Sequence, residues 1–159
     1  PEKDFLGVDI QGARFWFGAE EAHINGMQHA AFLRTQVELI DCFFEEDEVD
    51  EIWITFPDPQ IKYRRTKHRL THPEFLERYK KILKPGGIVH LKTDSEFLHG
   101  YTLGLLQGLG NEILSAHHDI YGAPEYEPGT PLLREIQTYY EGLFSAKGKT
   151  ITYIKFRVH

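Results

Sequence analysis

Apolar positions along the chain recur in two periods, and their alternation predicts the elements. Phe5-Leu6-Gly7-Val8-Asp9 reads as a short buried strand, and Ala13 to Ala22, with Phe15, Ala19 and Ala22 at helical spacing, as the helix after it. Ala31 to Arg34 is a second strand candidate. Beyond an acidic stretch (Glu45 to Glu51) comes Ile52-Trp53-Ile54-Thr55-Phe56, apolar on both faces, the pattern of a central parallel strand. The next helix opens on Thr71-x-x-Glu74, the spacing of a capping box, with Pro73 in its first turn and Phe75, Leu76, Tyr79, Ile82 and Leu83 as its apolar stripe. Pro85-Gly86-Gly87 predicts its end. Ile88 to Lys92 predicts a strand, Phe97 to Leu109 a helix and Glu112 to His118 a strand. Gly122 to Pro131 reads as a loop, Ile136 to Phe144 as a helix, and Ile151 to Val158 as a late or edge strand.

Such alternation with short turns predicts an open, mostly parallel α/β sheet with helices on both faces. No repeat, low-complexity tract or Gly/Ser linker interrupts it, so residues 1–159 read as a single domain. In open α/β sheets ligands bind beyond the carboxyl ends of the strands. Asp9 ends the first strand, Asp58 stands two residues past Phe56, and Asp94 two past Lys92. Each could be a turn or cap residue; three carboxylates predicted on one edge mark that edge as the site.

Composition narrows the classes. Apolar residues are 41% and charged residues 26% of the 159, the balance of a globular protein. No apolar run approaches the roughly 18 residues of a membrane span, so no membrane partner is expected. The one cysteine, Cys42, excludes an internal disulfide and points to the cytoplasm. The nine histidines fall at no metal-ligand spacing, so no metal is expected. The net charge of −6 hides a split. Lys62 to Lys84 carries nine basic residues against two acidic, and the remainder nine against 22. A cationic patch on an acidic body is either a solvated loop or a phosphate-binding segment.

Phe56-Pro57-Asp58-Pro59, followed by Lys62 and the basic run to Arg69-Leu70, resembles the box of the bacterial tRNA (guanine-N7-)-methyltransferase family, Phe-x-Asp-Pro-Trp-x-Lys-x-Arg-x-x-Lys-Arg-Arg. Pro1 to Asp9 is similar to that family's second-strand motif, and Leu83-Lys84-Pro85-Gly86-Gly87 to the helix-end turn of methyltransferases. Lys92-Thr93-Asp94 and Thr138-Tyr139-Tyr140-Glu141 match its later substrate motifs. The resemblance implies a Rossmann-like S-adenosylmethionine-dependent methyltransferase fold, acting on N7 of the guanosine at position 46 in the variable loop of tRNA. The family's first strand and Gly-x-Gly loop are absent upstream of Pro1, so a truncated chain lacking the middle strand of its sheet is expected. Gln36 stands where the family usually has an acid beside the adenine, and Gln60 where it commonly has tryptophan.

The resemblance assigns roles to residues. Asp9 would hold the cofactor's ribose, against a plain helix-capping role, and Gln36 would meet the adenine edge. Asp58, locked between two prolines, would serve both cofactor and catalysis, against a rigid-turn role. Guanine N7 carries a free lone pair, so its methylation needs alignment and stabilisation of positive charge on the ring rather than a strong base. Lys62, Asp94, Thr138, Tyr139, Tyr140 and Glu141 would bind the substrate, although Thr138-x-x-Glu141 is also a capping box. Arg64, Arg65, Thr66, Lys67, His68 and Arg69 would bind the tRNA. Tyr63, Tyr139 and Tyr140 could stack on an extruded base. Cys42, His117 and His118 are assigned to structure. An adenine- or cytosine-amino methyltransferase is a weaker match, because Asp58-Pro59-Gln60-Ile61 lacks the second proline and aromatic of that box. A noncatalytic RNA-binding module would fit Gln36 and the missing glycine loop but not the retained Asp9, Asp58, Lys62, Asp94 and Glu141.

Overall fold

The computed structural model describes residues 3–122, 130–135 and 137–159. Where the sequence shows no linker, the chain divides into two compact units, Pro1–Phe44 and Glu45–His159. The described strands form two sheets, of two and four strands.

In the first unit, β1 (Phe5–Asp9) runs parallel to β2 (Ala30–Arg34), in a register that sets Asp9 opposite Arg34. Between them α1 (Gly12–Ile24) makes the crossover, longer at both ends than its apolar spacing predicts. Gly7 lets the Phe32 ring approach closely: a Cβ there would lie 3.0 Å from it, so the ring would have to shift.

In the second unit the sheet order is β3 (Val49–Thr55), β4 (Leu83–Thr93), β6 (Thr152–Arg157), β5 (Glu112–His117). β3 pairs with β4 in parallel; β6 is antiparallel to both its neighbours. Two placements differ from the sequence pattern. β3, predicted central, is the outer strand of this sheet, with Ile54 buried and Trp53 exposed. β6, predicted as a late or edge strand, lies inside the sheet, and Thr152, Tyr153, Ile154 and Phe156 are buried, so both its faces are covered. The strands that pair its two edges, β4 and β5, and the layers that cover its faces come from elsewhere in the chain, which the pattern of β6 alone does not reveal.

α2 (Pro73–Ile82) and α3 (Glu96–Gly108) pack on the sheet and bury Phe75, Leu76, Tyr79, Ile82, Leu98 and Leu106. The cap of α2 is not the predicted Thr71. His72 is the N-cap and its ring accepts the Glu74 N–H at 3.3 Å, while the buried Thr71 hydroxyl bonds that of Thr102 at 2.8 Å. Thr71 is drawn inward because its hydroxyl has a buried partner, and an unpaired one would cost about 1–3 kcal/mol. Ser95 caps α3, accepting the Leu98 N–H. Pro85-Gly86-Gly87 does not end α2 but falls within β4, at the register irregularity against β3, where Gly86 adopts φ 80°.

Of the predicted loop Gly122 to Pro131, residues 123–129 lie outside the described residues, and Thr130 and Pro131 are helical rather than loop. A short α4 (Thr130–Glu135) follows, and α5 (Tyr139–Ala146) starts three residues later than its apolar pattern predicts, Ile136 being outside the described residues. At α5 the capping box is real: Thr138 Oγ1 accepts the Glu141 N–H at 3.1 Å, and the Glu141 carboxylate accepts the Thr138 N–H at 3.4 Å.

Candidate active site

The parallel pairing of β3 with β4 sets Thr55 opposite Lys92, so the segments leaving both strands, with Asp58 and Asp94, emerge at one sheet edge. In the other unit Asp9 is the last residue of β1, and Gln36 stands two residues past the end of β2.

Asp58 stands in a turn stiffened on both sides. Pro57 and Pro59 fix φ on either flank. Phe56 and Gln60 beyond them take left-handed conformations, φ 48° and 45°. Such angles in non-glycine residues cost on the order of 1–3 kcal/mol and persist only where the surroundings enforce them. The Phe56 N–H continues the sheet ladder to the Lys92 carbonyl at 2.8 Å, and its ring packs 5.9 Å from that of Phe144 on α5. The Gln60 N–H donates to Asp58 Oδ1 at 2.9 Å, so the turn role of Asp58 exists. The residue remains exposed. Asp58, Pro59, Gln60, Ile61, Lys62 and Arg65 line an open cleft of about 330 Å³.

The basic run follows as a single 3-10 helix, Tyr63–His68. Lys62, Arg64, Arg65, Lys67 and His68 are exposed, Thr66 is half-buried with its hydroxyl on the Tyr63 carbonyl, and Tyr63 is 93% exposed. Arg69 departs from the run it was grouped with. It is 4% exposed, donates from Nε and Nη2 to the Gln60 carbonyl at 3.3 and 3.1 Å, and lies over the Phe97 and Tyr101 rings at 4.8 and 4.3 Å.

Asp94 pairs with Lys149 at 2.6 Å, and the Lys149 ammonium also sits 4.7 Å from the centre of the Phe144 ring. Both line a second open cleft, of about 340 Å³, with Glu96, Gly148 and Thr150. Lys149 carries no sequence signal: it lies in the turn after α5, 55 residues from its partner.

Glu141 faces inward. Its carboxylate is fully buried and pairs with Lys92, itself 4% exposed, at 2.7 Å. The other oxygen accepts the Tyr121 hydroxyl at 2.7 Å, and Gln137 donates to that hydroxyl at 2.9 Å. Burial first, then the bond and charge of Glu141, push the Tyr121 hydroxyl up to about 12, so it stays a donor. Lys92 also donates to the Leu133 carbonyl at 2.7 Å, tying β4 to α4 and α5. A lysine at a buried strand position was the available signal, since such a charge demands a partner. With Glu141 held inside, Tyr139 and Tyr140 are presented outward, 78% and 45% exposed, with their rings edge to face at 5.7 Å.

In the first unit, Asp9 Oδ1 accepts the Gln11 N–H at 2.7 Å, and Oδ2 lies 3.7 Å from Arg14. Gln36 is exposed, precedes the 3-10 helix Val37–Cys42, and its side chain makes no capping bond. An acceptor at the end of β1 and a free amide just past β2 have the chemistry to take a ribose and an adenine edge. Among the described residues no group of three or more His, Cys, Asp or Glu could hold a metal ion, and no helix is long and apolar enough to cross a membrane.

A family model described as "Putative methyltransferase" matches residues 1–154. A tRNA (guanine-N(7)-)-methyltransferase of Christiangramia forsetii is 61% identical, covering 99% of this chain and 69% of its own length. Relatives of the same name from Porphyromonas gingivalis and Bacteroides thetaiotaomicron are 49% and 46% identical over 98% and 99% of the chain, which spans 62% and 60% of their lengths. Among solved structures, a SAM dependent methyltransferase from Aquifex aeolicus superposes with TM-score 0.59 at 15% identity, covering 98% of this chain and 69% of that one. TrmN from Thermus thermophilus gives 0.61 at 20% identity, covering 100% and 37%. At these identities the structures bear on the fold alone, and it is the methyltransferase fold.

Proposed function

The chain belongs to the tRNA (guanine-N(7)-)-methyltransferase family, and on that premise we propose that it transfers a methyl group from S-adenosylmethionine to N7 of guanosine in tRNA, at position 46 of the variable loop. The observation that carries the reading is the Asp58 turn. An exposed carboxylate is fixed between two prolines and two left-handed residues, immediately before a helix of exposed cations.

S-adenosylmethionine, when bound, supplies an electrophilic methyl group on a sulfonium. Asp9 and Gln36 have the donor and acceptor chemistry to hold its ribose and adenine. Guanine N7 needs no deprotonation, so the work of the chain is to orient the base, exclude water and favour positive charge on the ring. Asp58 accepts from the base's N1–H and 2-amino groups, and its negative charge offsets the charge that grows on the purine. Lys62, Asp94 and Thr138 border the base, while Tyr139 and Tyr140 offer it stacking faces. Lys149 competes for Asp94 until the substrate takes its place. Glu141 contributes by holding Thr138 and the two tyrosines in position. Arg64, Arg65, Thr66, Lys67 and His68 meet the phosphate backbone, which gives affinity and little base specificity.

The test is Asp58→Asn, which keeps shape and removes charge. Single-turnover methylation of an unmodified tRNA transcript should slow by roughly a hundredfold, the scale of one preorganised electrostatic contact. Affinity for cofactor and tRNA should change far less, because the effect belongs to the transition state. An Asn variant that methylates at the parent rate makes Asp58 a turn residue and ends this mechanism.

A further inference from the structure

The geometry points to Arg69 as a positioning residue that fixes the Asp58 turn from behind, and not as a member of the tRNA-binding run. Three observations carry this. At 4% exposure its guanidinium offers no face to a phosphate. Both described donations, from Nε and Nη2, converge on the Gln60 carbonyl. The group lies over Phe97 and Tyr101, which stand four residues apart on one face of α3.

The chain of contact runs from Arg69 to Gln60 to Asp58. Gln60 holds φ 45°, a conformation that an unconstrained glutamine abandons. Arg69 anchors its carbonyl, and its amide in turn grips Asp58 Oδ1 at 2.9 Å. One carboxylate oxygen is thereby tied down and the other left for a ligand. The same clamp joins this turn to α3, whose capping residue Ser95 directly follows Asp94. A single buried cation thus references both carboxylates of the sheet edge to one helix. Lysine cannot replace it, because a point charge cannot fork two donors onto one carbonyl while lying over two rings.

The catalytic consequence rests on the function proposed above; the clamp itself does not, and the experiment separates them. Arg69→Met and Arg69→Lys are made in the full-length native protein beside Arg65→Ala, Asp58→Asn and the double variant Asp58→Asn/Arg69→Met. Hydrogen exchange at the Gln60 amide, followed by NMR, should quicken at least tenfold in Arg69→Met while the α2 and β4 amides keep their protection. The slope of log Kd for tRNA against log salt should stay at the parent value, whereas Arg65→Ala lowers it by about 0.7–0.9. Single-turnover methylation at saturating tRNA and cofactor should fall ten- to a hundredfold in both Arg69 variants. The double variant should be no slower than Asp58→Asn, because both changes act through one carboxylate. Tyr101→Phe should behave as parent and Tyr101→Leu as a partial Arg69→Met, which keeps the test open if Arg69→Met fails to fold. Unchanged Gln60 exchange, or a salt slope that falls as in Arg65→Ala, overturns the clamp. A parent-rate Asp58→Asn overturns the proposed mechanism and leaves the exchange result to judge the clamp.

Discussion

Replacing Glu141 by glutamine removes one charge from a pair that water does not reach. The two side chains are 0% and 4% exposed and 2.7 Å apart. At an effective dielectric of about 20 their attraction is about 6 kcal/mol, set against a desolvation cost of several kcal/mol for each ion. The intact pair therefore contributes little net stability. The variant loses the attraction yet still buries the Lys92 ammonium, so the expected loss is about 3–5 kcal/mol. The amide still fits and can accept the Tyr121 hydroxyl, which confines the perturbation to charge. Urea titration monitored by far-UV circular dichroism reads the loss as a lower midpoint at unchanged slope. Limited proteolysis should open first at residues 130–146, where Leu133 and α5 depend on Lys92. Lys92→Met/Glu141→Leu should recover most of the stability, since an apolar pair leaves no buried charge. A Glu141→Gln midpoint within about 0.5 kcal/mol of parent would show the ammonium hydrated, and the reasoning refuted.

Alanine at Arg64, Arg65 and Lys67 together should weaken tRNA binding and flatten its salt slope by about 2–3, leaving cofactor affinity intact; an unchanged slope makes the run a solvated loop. Asp9→Ala should raise the cofactor's dissociation constant about tenfold or more by isothermal titration, and equal affinity returns Asp9 to holding the Gln11 amide. His99 is 1% exposed, its two ring nitrogens have no described hydrogen-bond partner, and burial, then His118 and His117, hold its pKa down to about 4. The folded state therefore binds fewer protons than the unfolded chain, so the His99 contribution is complete above about pH 6.5 and is lost as pH falls towards 4, by at most about 3 kcal/mol. His99→Phe should flatten the thermal midpoint across that window; an equal acid loss in the variant assigns it elsewhere.

The chemistry of the site was legible where it is local. Two prolines around Asp58 constrain the backbone whatever surrounds them, and the Thr138 and Glu141 box closes across one helical turn, so both were visible from spacing. The basic run was visible as charge density, but not which of its members turns inward. Arg65 and Arg69 belong to one cationic stretch; only the second meets Phe97 and Tyr101, about 30 residues further on. Thr71 illustrates the same limit: its cap spacing is sound, yet Thr102, 31 residues away, takes its hydroxyl.

By itself, then, the sequence determined the alternation of elements, the fold class, the Asp58 box and the family, because periodicity, proline stereochemistry and motif spacing act over a few residues. Tertiary structure decided that β6 lies inside its sheet, that Glu141 faces Lys92 rather than solvent, and that Arg69 turns inward onto the Gln60 carbonyl and two rings while its neighbours in the run stay exposed. The reason is electrostatic and steric together. A charged or polar side chain goes wherever partners repay its desolvation; these stand 49 residues apart for Lys92 and Glu141, and for Arg69 they are the Gln60 carbonyl nine residues back and two rings about 30 residues on, beyond the reach of a helical or strand period.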